Sequence, residues 1–120
     1  MIIIKHIYSR DLLVDGRIVS LWSLPKQANI YLNIRVTIGF DENSFEEVFD
    51  SAIITGSLVQ KCAGAETDPY NGKVFTYPEF DPNFIKEDIY SKINACNMLD
   101  FSDSISELAK MMQWDFEGMQ

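Results

Sequence analysis

The sequence predicts a single α+β domain, residues 1–120, in which an antiparallel β-sheet of about four strands packs against two C-terminal α-helices. Three observations lead there. The 120-residue length suits one self-sufficient core. Residues 29–38, NIYLNIRVTI, alternate strictly between apolar and polar side chains. Strand-like segments precede helix-like ones with no linker, repeat or change of composition between them, which is the order of an α+β chain.

Residues 2–8, IIIKHIY, are β-branched and aromatic and read as a first strand. Residues 9–28 contain the Asp15-Gly16 turn signal amid Ile18, Val19, Leu21 and Trp22, and support no firm assignment. In 29–38, Ile30, Leu32, Ile34, Val36 and Ile38 share one face and Tyr31, Asn33, Arg35 and Thr37 the other, so a strand with one buried and one wet face is expected, ending at Gly39. Residues 44–55 satisfy two periods. Phe45, Val48, Phe49, Ala52 and Ile53 repeat as on a helix behind a Ser44/Glu47 capping box, whereas Phe49, Ser51, Ile53 and Thr55 alternate as on a strand; the local pattern leans to helix.

Gly56–Ala63 reads as a short helix carrying Leu58, Val59 and Cys62 inward. Residues 64–72 form a loop closing at Asn71-Gly72, and KVFTYPEF reads as a strand with Pro78 near its end or on an edge. Asp81-Pro82 is an N-cap followed by a first-turn proline, and it opens a helix to Asn97 whose apolar side holds Phe84, Ile85, Ile89, Ile93 and Cys96. A last helix is expected from Ser102 or Ser104, with Ser104 and Glu107 as capping box and Ile105, Leu108, Ala109, Met111 and Met112 as its apolar face.

The composition, 47% apolar and 23% charged, excludes disordered and low-complexity classes. No apolar run approaches the ~20 residues of a membrane helix. The start, MIIIKHIYSRD, reverses the order of a secretory signal, so a cytoplasmic chain is expected. Two cysteines, Cys62 and Cys96, suit buried free thiols better than a disulfide scaffold. His6 is the single histidine, and no metal-ligand spacing accompanies it, so neither metal nor cofactor is expected.

Catalytic readings find little support. Neither cysteine sits in a nucleophile turn, and no carboxylate pair is placed by its spacing in an apolar pocket. Asp41-x-Asn43 opens like a calcium loop, but Glu46 and Ala52 occupy the glycine and glutamate positions. Phosphate-cradling glycine motifs are absent from the sequence. An enzyme is therefore not expected.

Charge is unevenly distributed. Residues 1–40 hold five bases against two acids, +3, while residues 41–120 hold five bases against sixteen carboxylates, −11, giving the net −8. Such a field repels phosphate backbones and steers basic proteins, so the expected partner is a basic protein, with no nucleic acid and no membrane. The acids group as Asp41, Glu42, Glu46, Glu47 and Asp50, then Asp100, Asp103 and Glu107, then Asp115 and Glu117. Tyr31, Tyr70, Tyr77 and Trp114 are the aromatic residues that would serve as hot spots if exposed.

Several residues in order resemble the immunity protein 8 family of bacterial polymorphic toxin systems. They are Val36-Thr37-Ile38-Gly39; an acidic loop reaching Phe49; Phe49, Ile53, Thr55 and Leu58; Gly72, Val74 and Phe80-Asp81; and the closing Trp114-Asp115-Phe116-Glu117, similar to the family's WEFE-like end. They span roughly residues 30–118, and Gly56 stands where the family tends to carry proline. The resemblance implies that the ambiguous segment is a strand from near Glu47. It also implies a cytoplasmic bacterial protein that binds and neutralises the C-terminal toxin domain of a contact-dependent or secreted effector. Many such toxins are nucleases with basic grooves, which an acidic protein can cover. The expected toxin-binding residues are Asp41, Glu42, Glu46, Glu47 and Asp50. The alternative is a small acidic adaptor or assembly subunit that binds another basic protein.

Overall fold

The computed structural model describes residues 1–40 and 46–115. Its centre is an antiparallel hairpin of two ten-residue strands, β4 (Tyr31–Phe40) and β5 (Glu46–Thr55), in register from Tyr31 opposite Ile54 to Gly39 opposite Glu46. Strand β1 (Ile2–Tyr8) pairs antiparallel with β4, and Lys5 is an extra residue at a bulge between Ile4 and His6. The short strands β6 (Phe75–Tyr77) and β7 (Gln113–Trp114) share the other edge of β5. A separate small hairpin, β2 (Leu13–Val14) with β3 (Arg17–Ile18), turns at Asp15-Gly16, where both residues have positive φ.

The α+β class holds, with one departure from an antiparallel sheet. Strand β6 runs parallel to β5 because residues 56–74, including helix α1 (Leu58–Cys62), form a crossover long enough to bring the chain back in the same direction. The segment with two periods is a strand, Glu46–Thr55, starting one residue before the Glu47 that the resemblance implies. Pairing on both edges and burial of Phe49, Ser51, Ile53 and Thr55 outweigh the local helical spacing. Strand β4 continues one residue past Gly39 to Phe40.

Helices α2 (Pro82–Asn94) and α3 (Phe101–Met111) cover the face that carries Leu32, Ile34, Val36, Ile38, Phe49 and Ile53. Ile85, Ile89 and Ile93 of α2 and Ile105 and Leu108 of α3, with Met112, complete that core. Residues 9–28, which the sequence leaves unassigned, form two 3-10 turns around the small hairpin, and Leu21 from the second turn enters the core.

Three helix expectations require correction. Helix α2 ends at Asn94 rather than Asn97, and Phe84 lies exposed beside the apolar stripe, edge-on to Tyr77 at 6.2 Å; it is one residue, about 100°, off the row of isoleucines. Helix α1 buries none of its residues fully, so Leu58, Val59 and Cys62 are only half-buried. Helix α3 starts at Phe101, capped by Asp100, whose carboxylate accepts from Ser102 N at 3.2 Å. Ser104, the expected cap, is instead buried: its Oγ accepts from Met98 N at 2.8 Å and donates to Asp100 O at 3.4 Å. Both cysteines are free thiols as expected, but half-buried.

The crossover loop is clasped by Asp68. Its Oδ2 accepts from Gly64 N at 2.8 Å and Gly72 N at 2.9 Å, and its Oδ1 accepts from Tyr70 N at 2.9 Å. Burial alone pushes this carboxyl's pKa up, but the three N–H donors together outweigh it and hold it below the usual carboxylate value. A group depressed in the folded state stabilises the fold fully above its unfolded pKa, and the contribution is lost as pH falls through the folded value. Asp68→Asn should therefore be less stable than the parent at pH 7 and should show a narrowing gap below about pH 4, measured by urea melts at each pH. A gap that is constant with pH would contradict this role.

Candidate interaction surface

The sheet face opposite the helices carries a polar cluster drawn from five distant parts of the chain. Arg35 of β4 donates from Nε to Asp50 Oδ1 at 2.9 Å and from Nη2 to Asp50 Oδ2 at 3.2 Å, the side-by-side geometry set by their cross-strand register. Asp115 stands 3.9 Å from the same guanidinium. Two residues along β4, Asn33 donates from Nδ2 to Asp11 Oδ2 at 3.1 Å and from its backbone N to the same oxygen at 2.8 Å. Tyr70 Oη donates to Asn33 Oδ1 at 2.7 Å. Burial first, then nearby Tyr31, Asp50, Asp11 and Asp68, push the Tyr70 pKa up to about 12, so the hydroxyl is a fixed donor at neutral pH. Arg10, Asn33, Arg35, Asp50 and Tyr70 line a hollow of about 170 Å³ here. That volume is small beside the ~300 to 1,000 Å³ of small-molecule sites. With its polar groups already joined to one another, the cluster acts as a rigid surface.

The expected acidic site is distributed as follows. Asp41 and Glu42 lie outside the described residues. Glu46 and Asp50 project from the open face of β5, Glu46 exposed and 3.1 Å from Lys5 Nζ. Glu47 lies on the other face by strand alternation, and it accepts from Trp114 Nε1 at 2.8 Å. The three described carboxylates therefore do not form one patch. Asp50 is matched by Arg35, which leaves Glu46 as the most accessible of them.

Among the later acids, Asp100 caps α3, Asp103 is exposed in its first turn, and Glu107 pairs with Lys110 at 2.8 Å. The four aromatic hot-spot candidates are withdrawn from solvent. Tyr77 is buried and donates from Oη to Asp88 at 2.8 Å, while Tyr31, Tyr70 and Trp114 are half-buried. The exposed apolar side chains lie elsewhere, chiefly Met98, Leu99 and Phe101 at the corner between α2 and α3. Their signal in the sequence is the run Met98-Leu99-Asp100-Phe101, whose first two apolar residues belong to neither helix's apolar repeat.

Among the described residues, no group of three His, Cys, Asp or Glu side chains is placed to hold a metal, and no helix is long and apolar enough to cross a membrane. His6 is exposed on β1, an edge strand of the sheet. A sequence model of the family described as immunity protein 8 matches residues 8–119. The chain belongs to the immunity protein 8 family. The match extends well upstream of residue 30, so it takes in the 3-10 turns and small hairpin of the N-terminal third. No curated protein and no solved structure matches the chain. For an immunity protein 8 chain the relevant chemistry is recognition of a cognate toxin, and Gly56 gains a structural reading as well. It has φ +63°, a conformation closed to proline, which calls for glycine at this position.

Proposed function

We propose that this chain acts in the bacterial cytoplasm as a non-enzymatic immunity protein, binding and neutralising the C-terminal toxin domain of a contact-dependent or related polymorphic toxin system. The observation that carries this reading is the family match over residues 8–119. The toxin is a basic protein, of the kind a nuclease groove presents, and the −11 charge of residues 41–120 supports that choice. Asp41, Glu42, Glu46, Glu47 and Asp50 supply the acidic side of the contact. Among the described members Glu46 is best placed to meet a partner, because its pair with Lys5 is solvent-exposed and such pairs contribute only about 0 to 1 kcal/mol.

The test is a calorimetric titration against the purified toxin domain encoded beside this gene, at low and high salt. Nanomolar binding that weakens as salt rises is the expected result, with Glu46→Lys and Glu47→Lys together lowering affinity by roughly tenfold or more at low salt. Glu47→Lys also forfeits the Trp114 hydrogen bond, so its melting temperature is measured alongside. Reversals that leave affinity unchanged would remove the acidic segment from the interface, and a toxin domain that does not bind would return the acidic-adaptor reading.

A further inference from the structure

The corner between α2 and α3 is apolar where a helix–helix turn is ordinarily polar. Leu99 is fully exposed at 110% of its reference area, Phe101 is 60% exposed and Met98 42%. Together with Met1 and Phe40 they line a groove of about 380 Å³. Leu99 gains nothing from the fold, and a contiguous exposed patch of large apolar side chains marks an interaction site more often than chance. Two other exposed apolar groups are less suited to a basic partner. The small hairpin's Leu13, Val14 and Ile18 lie close in sequence to Arg10 and Arg17 in the basic third of the chain, and Phe84 stands alone beside Tyr77.

The corner is held rigidly. Asn97 Oδ1 accepts from Ile2 N at 3.0 Å, Ser104 Oγ accepts from Met98 N at 2.8 Å, and the Phe101 ring tilts against Phe40 with centroids 5.7 Å apart. A surface fixed before binding spends little ordering entropy on it. Acids surround it. Asp100 is the charged side chain in the groove lining, and Asp103 follows one turn into α3. Ile2 pairs with Phe40, the last residue of β4, so the corner lies at the sheet end where β5 begins with Glu46 and Glu47. An apolar centre with an acidic rim is complementary to an apolar side chain ringed by bases.

Resting on the immunity reading above, we propose that this corner is the apolar centre of the toxin-binding surface, and that the toxin domain inserts there an apolar side chain flanked by Lys or Arg. Leu99, Met98 and Phe101 supply the burial, and Asp100 and Asp103 supply the acidic rim.

The deciding variant is Leu99→Ser, which is neutral and, at a fully exposed position, leaves the melting temperature unchanged. Titrated as the full chain against the toxin domain encoded beside the gene, it should bind about 30-fold more weakly than the parent, the scale of an interface hot spot. The loss should persist at high salt, where charge reversals at the rim lose their effect. A Leu99→Ser protein that binds within threefold of a tightly binding parent overturns this inference and leaves the immunity reading standing. A parent that does not bind the toxin overturns both. Sedimentation of the parent alone addresses a second copy as occupant: a dimer that Leu99→Ser dissolves, with toxin affinity unchanged, also overturns it.

Discussion

Phe49→Ala should lower the unfolding free energy by about 3 to 5 kcal/mol, the range for emptying an aromatic core site. Phe49 is fully buried at the middle of β5, opposite Val36 on one side and Trp114 on the other, with the helices closing over it. Its neighbours belong to paired strands and cannot collapse inward without breaking ladder hydrogen bonds, which places the cost toward the upper end. Against a total of about 5 to 15 kcal/mol for a domain of this kind, the variant keeps little margin. Urea melts provide the measure, and Phe49→Leu should recover more than half of the loss. A cost below about 1.5 kcal/mol would mean that β5 is not the packed centre of the domain.

Gly56→Ala should cost about 2 to 5 kcal/mol, although it adds only one methyl group at a half-buried turn. The residue directly follows β5 with φ +63°, a region that costs an L residue about 1 to 2 kcal/mol. A Cβ there would also stand 2.6 Å from Ala28 O and closer still to Asn29 Oδ1. Asn29 cannot simply turn aside, because the same oxygen accepts from Ser57 N at 2.8 Å. Gly56 N in turn donates to Tyr77 O at 3.0 Å, so a shift of this residue loosens the junction between β5 and β6. Thermal unfolding should show a fall of roughly 8 to 20 °C. Asn29→Ala should lessen the clash in the double variant and give a less-than-additive loss. Strict additivity would assign the cost to the backbone angle and the Ala28 carbonyl contact.

These two sites differ in how they can be read from the chain. The alternation of Leu32, Ile34, Val36 and Ile38 identifies β4 and its buried face without further information, because a period of two over ten residues has one economical solution. Asp81-Pro82 marks the start of α2 equally directly, and Asp81 does accept from Phe84 N. Phe49 is different. Its segment satisfies both periods, and strand pairing with β4, β6 and β7 decides between them. Ser104 shows the same limit at a helix end: a serine followed three residues later by glutamate is a capping box locally, but Asp100 caps one turn earlier and the Ser104 hydroxyl is used to tie down Met98.

The candidate site divides along the same line. Sequence alone determined the α+β class, the family and the segregation of charge, since these depend on composition and local order. It also gathered Glu46, Glu47 and Asp50 into one cluster, because they are close along the chain. Tertiary structure separated them: a strand sends Glu47 to the face opposite Glu46 and Asp50, and the cross-strand register sets Arg35 against Asp50. It likewise withdrew Tyr70 and Tyr77 into hydrogen bonds and left Leu99 and Phe101 in solvent. Which side chains remain available to a partner depends on what the rest of the fold covers or neutralises, and that is fixed by contacts between residues far apart in the sequence.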